Sequence, residues 1–143
     1  ERVTPHIALT CRDRDGKETR TYKTKDKGSV VSKETSEILR GLLHQVVAEG
    51  TGKNGQVAGF AVGGKTATSQ MLPRGSGKYI ASFIGFAPAE DPEVLAIVII
   101  HEPQGIYYGG TIAAPVCSQL FENILPYLGV EETEKNTDSA VAQ

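Results

Sequence analysis

Apolar residues recur along this chain with two different periods. Helical spacing between positions 38 and 47, after Ser32 as a candidate N-cap and before Gly50 as a stop, predicts an amphipathic helix. A second helix is predicted to begin near Thr111 and to end at Gly129, with Pro126 distorting its last turn. The apolar positions are Ile38, Leu39, Leu42, Leu43, Val46 and Val47 in the first helix, and Ile112, Val116, Leu120, Phe121, Ile124, Leu125 and Leu128 in the second.

Five further segments have the composition of β-strands. The first two flank Asp15-Gly16, a dipeptide typical of hairpin turns, and the last two are joined by a link too short for a parallel crossover. The order is therefore hairpin, helix, three antiparallel strands, helix. It predicts an α+β fold in which helices flank a mainly antiparallel sheet. The predicted strands are residues 3–11, 18–24, 60–69, 78–87 and 93–102, with a glycine-rich loop at 49–57.

Length and composition suit one ordinary globular domain of 143 residues. The longest apolar run, Val94 to Ile100, is far shorter than the roughly 20 residues that a membrane-spanning helix needs. The chain opens with Glu1 and its only methionine is Met71, so we expect an internal or processed piece of a longer protein. Residues 130–143 are acidic and poor in large apolar side chains, and we expect them to be a disordered tail.

Charge and cysteine content exclude several classes of protein. Residues 1–33 carry nine basic and five acidic side chains, a net charge of +4, but only one aromatic, Tyr22, so they lack a stacking platform for single-stranded nucleic acid. We interpret them as a solvated hairpin and expect no nucleic-acid partner. Cys11 and Cys117 lack CxxC spacing and are expected to be buried free thiols, with one long-range disulfide left open.

Candidate metal-binding and nucleotide-binding motifs lack the spacing or the flanking elements that such sites require. The three histidines, His6, His44 and His101, share no ligand spacing, so no metal or other cofactor is predicted. Residues 59–66 satisfy GxxxxGK[ST], but no strand precedes Gly59 and no long helix can follow Lys65. Residues 50–55 satisfy GxGxxG, but they follow a helix where that fingerprint follows a strand. A nucleotide-binding P-loop stays a remote alternative.

One ordered set of motifs resembles a known family. Gly64-Lys65-Thr66-Ala67-Thr68 and the segment 79–89 after it resemble the KTG strand and the next strand of a penicillin-binding transpeptidase. Downstream, Glu102-Pro103, the segment 107–111 and Ala114-Pro115-Val116 resemble the loop and final helix of class B penicillin-binding proteins. Upstream, Gly50-Thr51-Gly52 resembles the loop before the KTG strand. Division and sporulation transpeptidases are the nearest types, and the sequence does not separate them.

The resemblance implies a fold, an activity and a site. Residues 1–129 would be the C-terminal part of a transpeptidase domain of the serine β-lactamase type, in an enzyme that cross-links peptidoglycan stem peptides outside the cytoplasm and is acylated by β-lactams. Lys65 would place positive charge near the nucleophile, and the Thr68 N–H would form half of an oxyanion hole. The Thr66 and Thr68 hydroxyls would bind the substrate carboxylate, with Ala67 between them. Tyr107 and Tyr108 would contact substrate, or else pack over the sheet edge.

Two departures from the family pattern leave alternatives open. Ala67 stands where the family usually has glycine, and no SxxK or SxN motif is present. Both motifs precede the KTG strand in the family, so we expect them upstream of Glu1, in the half of the domain that would be this chain's partner, and we expect the chain alone to be inactive. The alternative is a degenerate, non-catalytic binding or scaffold module. A free sheet edge also leaves a homodimer of the piece open.

Overall fold

A computed structural model describes residues 2–132 and divides the chain into two compact units, Glu1–Ser36 and Glu37–Gln143. The first unit contains two short antiparallel pairs, β1 (Val3–Thr4) with β4 (Lys25–Asp26), and β2 (Thr10–Arg12) with β3 (Glu18–Thr21). The predicted hairpin around Asp15-Gly16 is confirmed as β2–β3.

The predicted single strand over residues 3–11 is wrong. The segment divides into β1 and β2, and each half pairs with a different part of the return segment. Pro5 follows β1 directly and has no N–H with which to continue a ladder. Cys11 in β2 is exposed, which corrects the expectation that both thiols are buried. All residues of β2 and β3 are exposed, so this hairpin has no covered side on which to bury the thiol.

The second unit is built on a three-stranded antiparallel sheet in the order β5-β6-β7. Its strands are β5 (Gly63–Gln70), β6 (Tyr79–Ala87) and β7 (Val94–His101), and the predicted β6–β7 hairpin is confirmed. The predicted third strand begins three residues later than expected, because Val57 and Phe60 form a tight turn with Gly59 at φ 82°. The register is unbroken along β5, with Lys65 opposite Ile84 and Thr68 opposite Ala81.

The two C-terminal helices cover one face of this sheet, and a further helix precedes β5 in the chain. The helix α1 (Lys33–Ala48) begins at the predicted cap, since the Ser32 hydroxyl accepts the Thr35 N–H at 3.1 Å. The predicted C-terminal helix is two helices, α2 (Gly109–Ile112) and α3 (Ala114–Tyr127). Pro115 lacks the N–H that a continuous helix would need there. Gly129, at φ 73°, follows the end of α3, and Pro126 lies in its last turn.

The core lies between the sheet and the helices α2 and α3. Its fully buried side chains are contributed by β6, α3, the end of α1 and the approach to β5. They include Phe83, Phe121, Leu125, Val47, Val62 and Cys117. None of the helices within residues 2–132 has the length and apolar character to cross a bilayer. Most of the predicted acidic tail, residues 133–143, lies outside the described residues.

Candidate functional site

The strand β5 carries four of the predicted site residues in succession: Lys65, Thr66, Ala67 and Thr68. It lies at one end of the sheet, and within residues 2–132 no strand pairs with its outer side. The sequence 59–66 that matched a phosphate loop runs into this strand, and no helix follows Lys65. The local fold is therefore an exposed strand edge and not a phosphate cradle.

Backbone groups along β5 alternate between the neighbouring strand and the free edge. The Met71 N–H, just beyond the strand, donates to the Lys78 carbonyl at 2.9 Å. Bonded positions alternate in an antiparallel ladder, and the register has no shift, so Ala67 and Lys65 also turn their backbone groups toward β6. The N–H groups of Thr66 and Thr68 therefore point to the free edge. This is where an oxyanion or an added peptide strand would meet them.

Side chains of β5 alternate between the two faces of the sheet. Thr66 and Thr68 share a face with the buried Phe83 and Ala81, their partners on β6, whereas Lys65 and Ala67 lie on the opposite face. The structure thus brings the two hydroxyls together on the helix-covered side. Ala67 is exposed, and its Cβ lies on the same face as the Lys65 side chain.

The two threonine hydroxyls differ in their hydrogen bonds. Thr68 Oγ1 accepts the backbone N–H of Gly109 at 3.1 Å, so its own proton is free to be donated elsewhere. Thr66 Oγ1 donates its proton to Thr51 Oγ1 at 3.3 Å. The exposed Lys65 ammonium lies 2.9 Å from the Thr66 carbonyl and 3.5 Å from Thr66 Oγ1. An ammonium group and two hydroxyl groups therefore lie within four consecutive residues of one strand.

The start of α2 is packed directly on this strand. A Cβ added to Gly109 would overlap the backbone carbonyl oxygens of Ser82 and Ala67, and one on Gly110 would come within 2.7 Å of the Thr51 carbonyl. Asn54 Nδ2 donates to the Gly110 carbonyl at 2.8 Å. Only glycine permits this approach at both positions. The Gly109-Gly110 pair therefore holds α2 against β5 and β6.

The predicted contact residues Tyr107 and Tyr108 immediately precede α2. Tyr107 stacks on Tyr79 at the start of β6, with ring centroids 4.0 Å apart, and is half-buried. Tyr108 is exposed, and a side-chain hydrogen bond with Tyr107 raises the pKa of its phenol. A cavity of about 370 Å³ borders the stacked pair and is also lined by Lys78 and Glu102, which form an ion pair at 3.0 Å. Tyr107 thus packs on the sheet, while Tyr108 presents its ring to solvent.

Sequence reasoning missed three residues of this site. Thr51 and Asn54 lie in the loop that was interpreted as a helix stop and as similar to the family's loop before the KTG strand, and Tyr79 opens the segment similar to the next strand, but none of the three was given a role in the site. The signal for Thr51 was the Gly-Thr-Gly sequence that resembles the family's loop. Nothing in the local sequence pairs Tyr79 with Tyr107, because the stack depends on the β6–β7 register.

Histidines and acidic side chains form no metal centre in the described part of the chain. No group of three or more His, Cys, Asp or Glu residues there is arranged to hold an ion. The His44 ring nitrogen Nδ1 is 3.0 Å from the Val62 carbonyl, and His101 ends β7.

A family model described as the penicillin binding protein transpeptidase domain matches residues 1–122. The Stage V sporulation protein D of Bacillus subtilis (strain 168) is 44% identical over 133 residues, which cover 90% of this chain and 21% of that protein. A probable peptidoglycan D,D-transpeptidase PenA of Neisseria flavescens is 40% identical over 119 residues, which cover 80% of this chain and 30% of that protein. The chain thus spans less than a third of the length of these relatives.

Solved structures agree with the sequence comparisons. The transpeptidase domain of Burkholderia pseudomallei penicillin-binding protein 3 has a TM-score of 0.67 and 34% identity, over 80% of this chain and 38% of that chain. The D,D-transpeptidase domain of a peptidoglycan glycosyltransferase from Eggerthella lenta has a TM-score of 0.76 over 90% of this chain and 28% of that chain, and at 24% identity it supports the fold alone. The resemblance seen in the KTG-type strand is confirmed.

Proposed function

Because this chain belongs to the penicillin-binding protein transpeptidase domain family, we propose that it is the C-terminal part of a D,D-transpeptidase that cross-links peptidoglycan stem peptides through an acyl-serine intermediate. Residues 1–129 are the part that it contributes to the transpeptidase domain. The nucleophilic serine and its base belong to the SxxK motif of the remaining part of the domain. In the reaction, the serine attacks the penultimate D-Ala carbonyl, the bond to the terminal D-Ala breaks, and an amine of a second stem takes the acyl group.

The observation that carries this proposal is the free edge of β5. An extended peptide can bind there by strand addition, which aligns its carbonyl with the outward Thr68 N–H. A fixed N–H aimed at a developing oxyanion contributes typically about 3 kcal/mol to the transition state. The Thr68 hydroxyl has a proton left to donate to the terminal carboxylate, and Thr66 lies on the same face. Lys65 supplies a cation beside them.

The proposed reaction also implies which inhibitors bind and where the parent protein acts. A β-lactam presents a carboxylate and a reactive carbonyl, so it would bind to the same groups and acylate the serine. Peptidoglycan lies outside the cytoplasm, and we place the parent protein on the outer face of the bacterial cytoplasmic membrane, held by an anchor in another part of the polypeptide. Tyr108, with its exposed ring, is the better placed of the two tyrosines to contact substrate.

Intact mass after incubation with benzylpenicillin tests the proposal. We expect one penicilloyl adduct on the parent polypeptide that contains this sequence and none on the 143-residue chain, which has no SxxK motif. The variant Lys65→Ala in the parent should slow acylation about a hundredfold, since it removes a charged donor from the site. Lys23→Ala, an exposed lysine of the first unit, is the matched control and should acylate normally. No adduct on the parent would favour the non-catalytic binding module instead.

A further inference from the structure

The loop of residues 50–55 is hydrogen-bonded to both β5 and α2, the two elements that build the site. Thr51 Oγ1 accepts the proton of Thr66 on β5, and Asn54 Nδ2 donates to the carbonyl of Gly110 in α2. These bonds join residues that are 15 and 56 positions apart in the sequence. The motif that failed as a nucleotide fingerprint is therefore in direct contact with the proposed carboxylate-binding strand.

The 50–55 loop is itself held firmly. The Gly52 N–H donates to the Val46 carbonyl at 3.0 Å, and the Gly55 N–H donates to the Gly52 carbonyl at 2.7 Å. A Cβ on Gly55 would lie 2.7 Å from the ring of Phe83, which is fully buried. The loop is thus fixed to the end of α1 and to the core, so Thr51 presents its hydroxyl to β5 from a defined position.

One of the two threonine hydroxyls on β5 already uses its proton in a hydrogen bond. Thr66 has a single hydroxyl proton, and in this structure Thr51 receives it. Thr68 accepts from Gly109 and retains its proton. A carboxylate that binds both threonines therefore needs the Thr66 proton to turn away from Thr51. After that rotation, Thr66 Oγ1 keeps the Lys65 ammonium at 3.5 Å as one donor, and its second acceptor position faces the Thr51 hydroxyl.

We infer that Thr51 is a positioning residue for carboxylate recognition, whose hydroxyl accepts from Thr66 in the arrangement described above and donates to Thr66 once a carboxylate is bound. The reversal needs only rotation of two O–H bonds, and no covalent bond changes. A hydroxyl can fill both roles because it is donor and acceptor, whereas an isosteric valine can fill neither. The inference rests on the proposed function, since it assumes that Thr66 and Thr68 bind the terminal carboxylate.

Binding of a small ligand to the parent polypeptide that contains this sequence tests this role. The ligand is Nα-acetyl-D-Ala-D-Ala, compared with its C-terminal amide, and the amide resonances of Thr66 and Thr68 are followed by NMR titration. Thr51→Val should weaken binding of the acid about tenfold, because it removes one hydrogen bond to the Thr66 hydroxyl that binds the carboxylate. Binding of the amide should change less than twofold. Thr51→Ser keeps the hydroxyl and should restore binding of the acid.

A control variant separates this effect from a general loss of stability. Thr19→Val removes a hydroxyl that donates to the Cys11 carbonyl at 3.2 Å in the β2–β3 hairpin, and it should leave both affinities unchanged. Equal acid affinities for the wild type and Thr51→Val would overturn the inference, as would an equal loss for acid and amide. A wild-type parent polypeptide that binds acid and amide alike would contradict the proposed function itself, and with it the premise of the role given to Thr51.

Discussion

Lys65 and Ala67 lie on the face of the sheet that the helices leave open, while Thr66 and Thr68 lie on the covered face. This division follows from the two-residue period of a strand. The Lys65 ammonium nonetheless lies 3.5 Å from Thr66 Oγ1, so the cation and that hydroxyl are adjacent although their side chains leave the strand on opposite faces. The methyl group of Ala67 lies on the same face of the sheet as the Lys65 side chain.

Replacing Ala67 with glycine should raise the acylation rate of the parent polypeptide by about fivefold, since an extra methyl group in a close contact costs roughly 1 kcal/mol or more. The second-order rate of benzylpenicillin acylation measures it. Ser69→Gly is the matched control, because Ser69 is exposed on the same face two residues further along. An Ala67→Gly rate equal to or below that of the wild type would show that the methyl group does not crowd the site.

The two cysteines should differ sharply in reactivity. Cys117 is fully buried beneath the sheet, and burial raises the pKa of its thiol to about 11. Only the thiolate reacts with iodoacetamide, and at pH 8 about one Cys117 in a thousand would be ionised. Cys11 is exposed. We expect a single carbamidomethyl group on the native chain by intact mass and two after unfolding.

The reactivity of Cys117 should increase as the pH rises toward 11, because a larger fraction of the thiol is ionised as the pH approaches its pKa. A Cys11→Ser variant that is modified under native conditions at pH 8 would contradict the assigned burial of Cys117.

At the residue scale, sequence alone located the groups that are adjacent in the chain. Lys65, Thr66 and Thr68 lie within four consecutive residues of one strand, so their relative placement follows from the strand period. Thr51 reaches Thr66 only because α1 ends at Ala48 and the chain turns back toward β5. The stacking of Tyr79 and Tyr107 depends likewise on how far β6 and β7 extend. Contacts of this kind are set by tertiary structure and have no local signature.

At the scale of elements, the packing of α2 depends on the absence of a side chain. Gly109 lies over the backbone of β5 and β6 where Ala67 and Ser82 are paired, and its N–H bonds to Thr68. A helix of four residues has little stability of its own, so it depends on this contact.

Gly109→Ala should therefore destabilise the chain by about 2 kcal/mol or more, because its methyl group would force α2 away from two backbone carbonyls. Gly41→Ala provides the matched substitution. Gly41 lies within α1 with open space around its Cα, and alanine there should stabilise the chain by about 0.5–1 kcal/mol. Urea unfolding measures both changes. A Gly109→Ala variant as stable as the wild type would mean that α2 does not pack this closely.

Elements were predictable wherever one local rule decided them. The apolar period and the Ser32 cap located α1, and the short link between β6 and β7 required a hairpin. Prediction failed where a proline interrupted a favourable pattern. Pro5 ends β1 after two residues, and Pro115 divides α2 from α3, although the apolar pattern continues across both positions. At both positions, loss of the backbone hydrogen bond that proline cannot donate outweighed the stabilisation from the apolar pattern.

At the scale of the molecule, the sheet of the second unit is covered on one face only. On β7, the residues packed toward the core alternate with Leu95, Ile97 and Ile99, which are 69%, 60% and 51% exposed. A strand that is apolar on both sides is typical of a sheet with layers on both faces. This agrees with a chain that spans 38% of the length of a solved transpeptidase domain.

The isolated 143-residue chain should consequently associate through the open face of its sheet. We expect its weight-average mass in sedimentation equilibrium to rise with concentration, because a contiguous apolar patch favours contact between copies. Ile97→Asp should abolish the rise, since it places a charge at the centre of the patch. Ile106→Asp is the matched control: its side chain is 58% exposed but lies in the loop after β7. If both variants reduced association equally, net charge and not this face would be responsible.

In the parent polypeptide, Ile97→Asp should lower the midpoint of urea unfolding while Ile106→Asp leaves it unchanged, because there the same face would be buried against the rest of the domain.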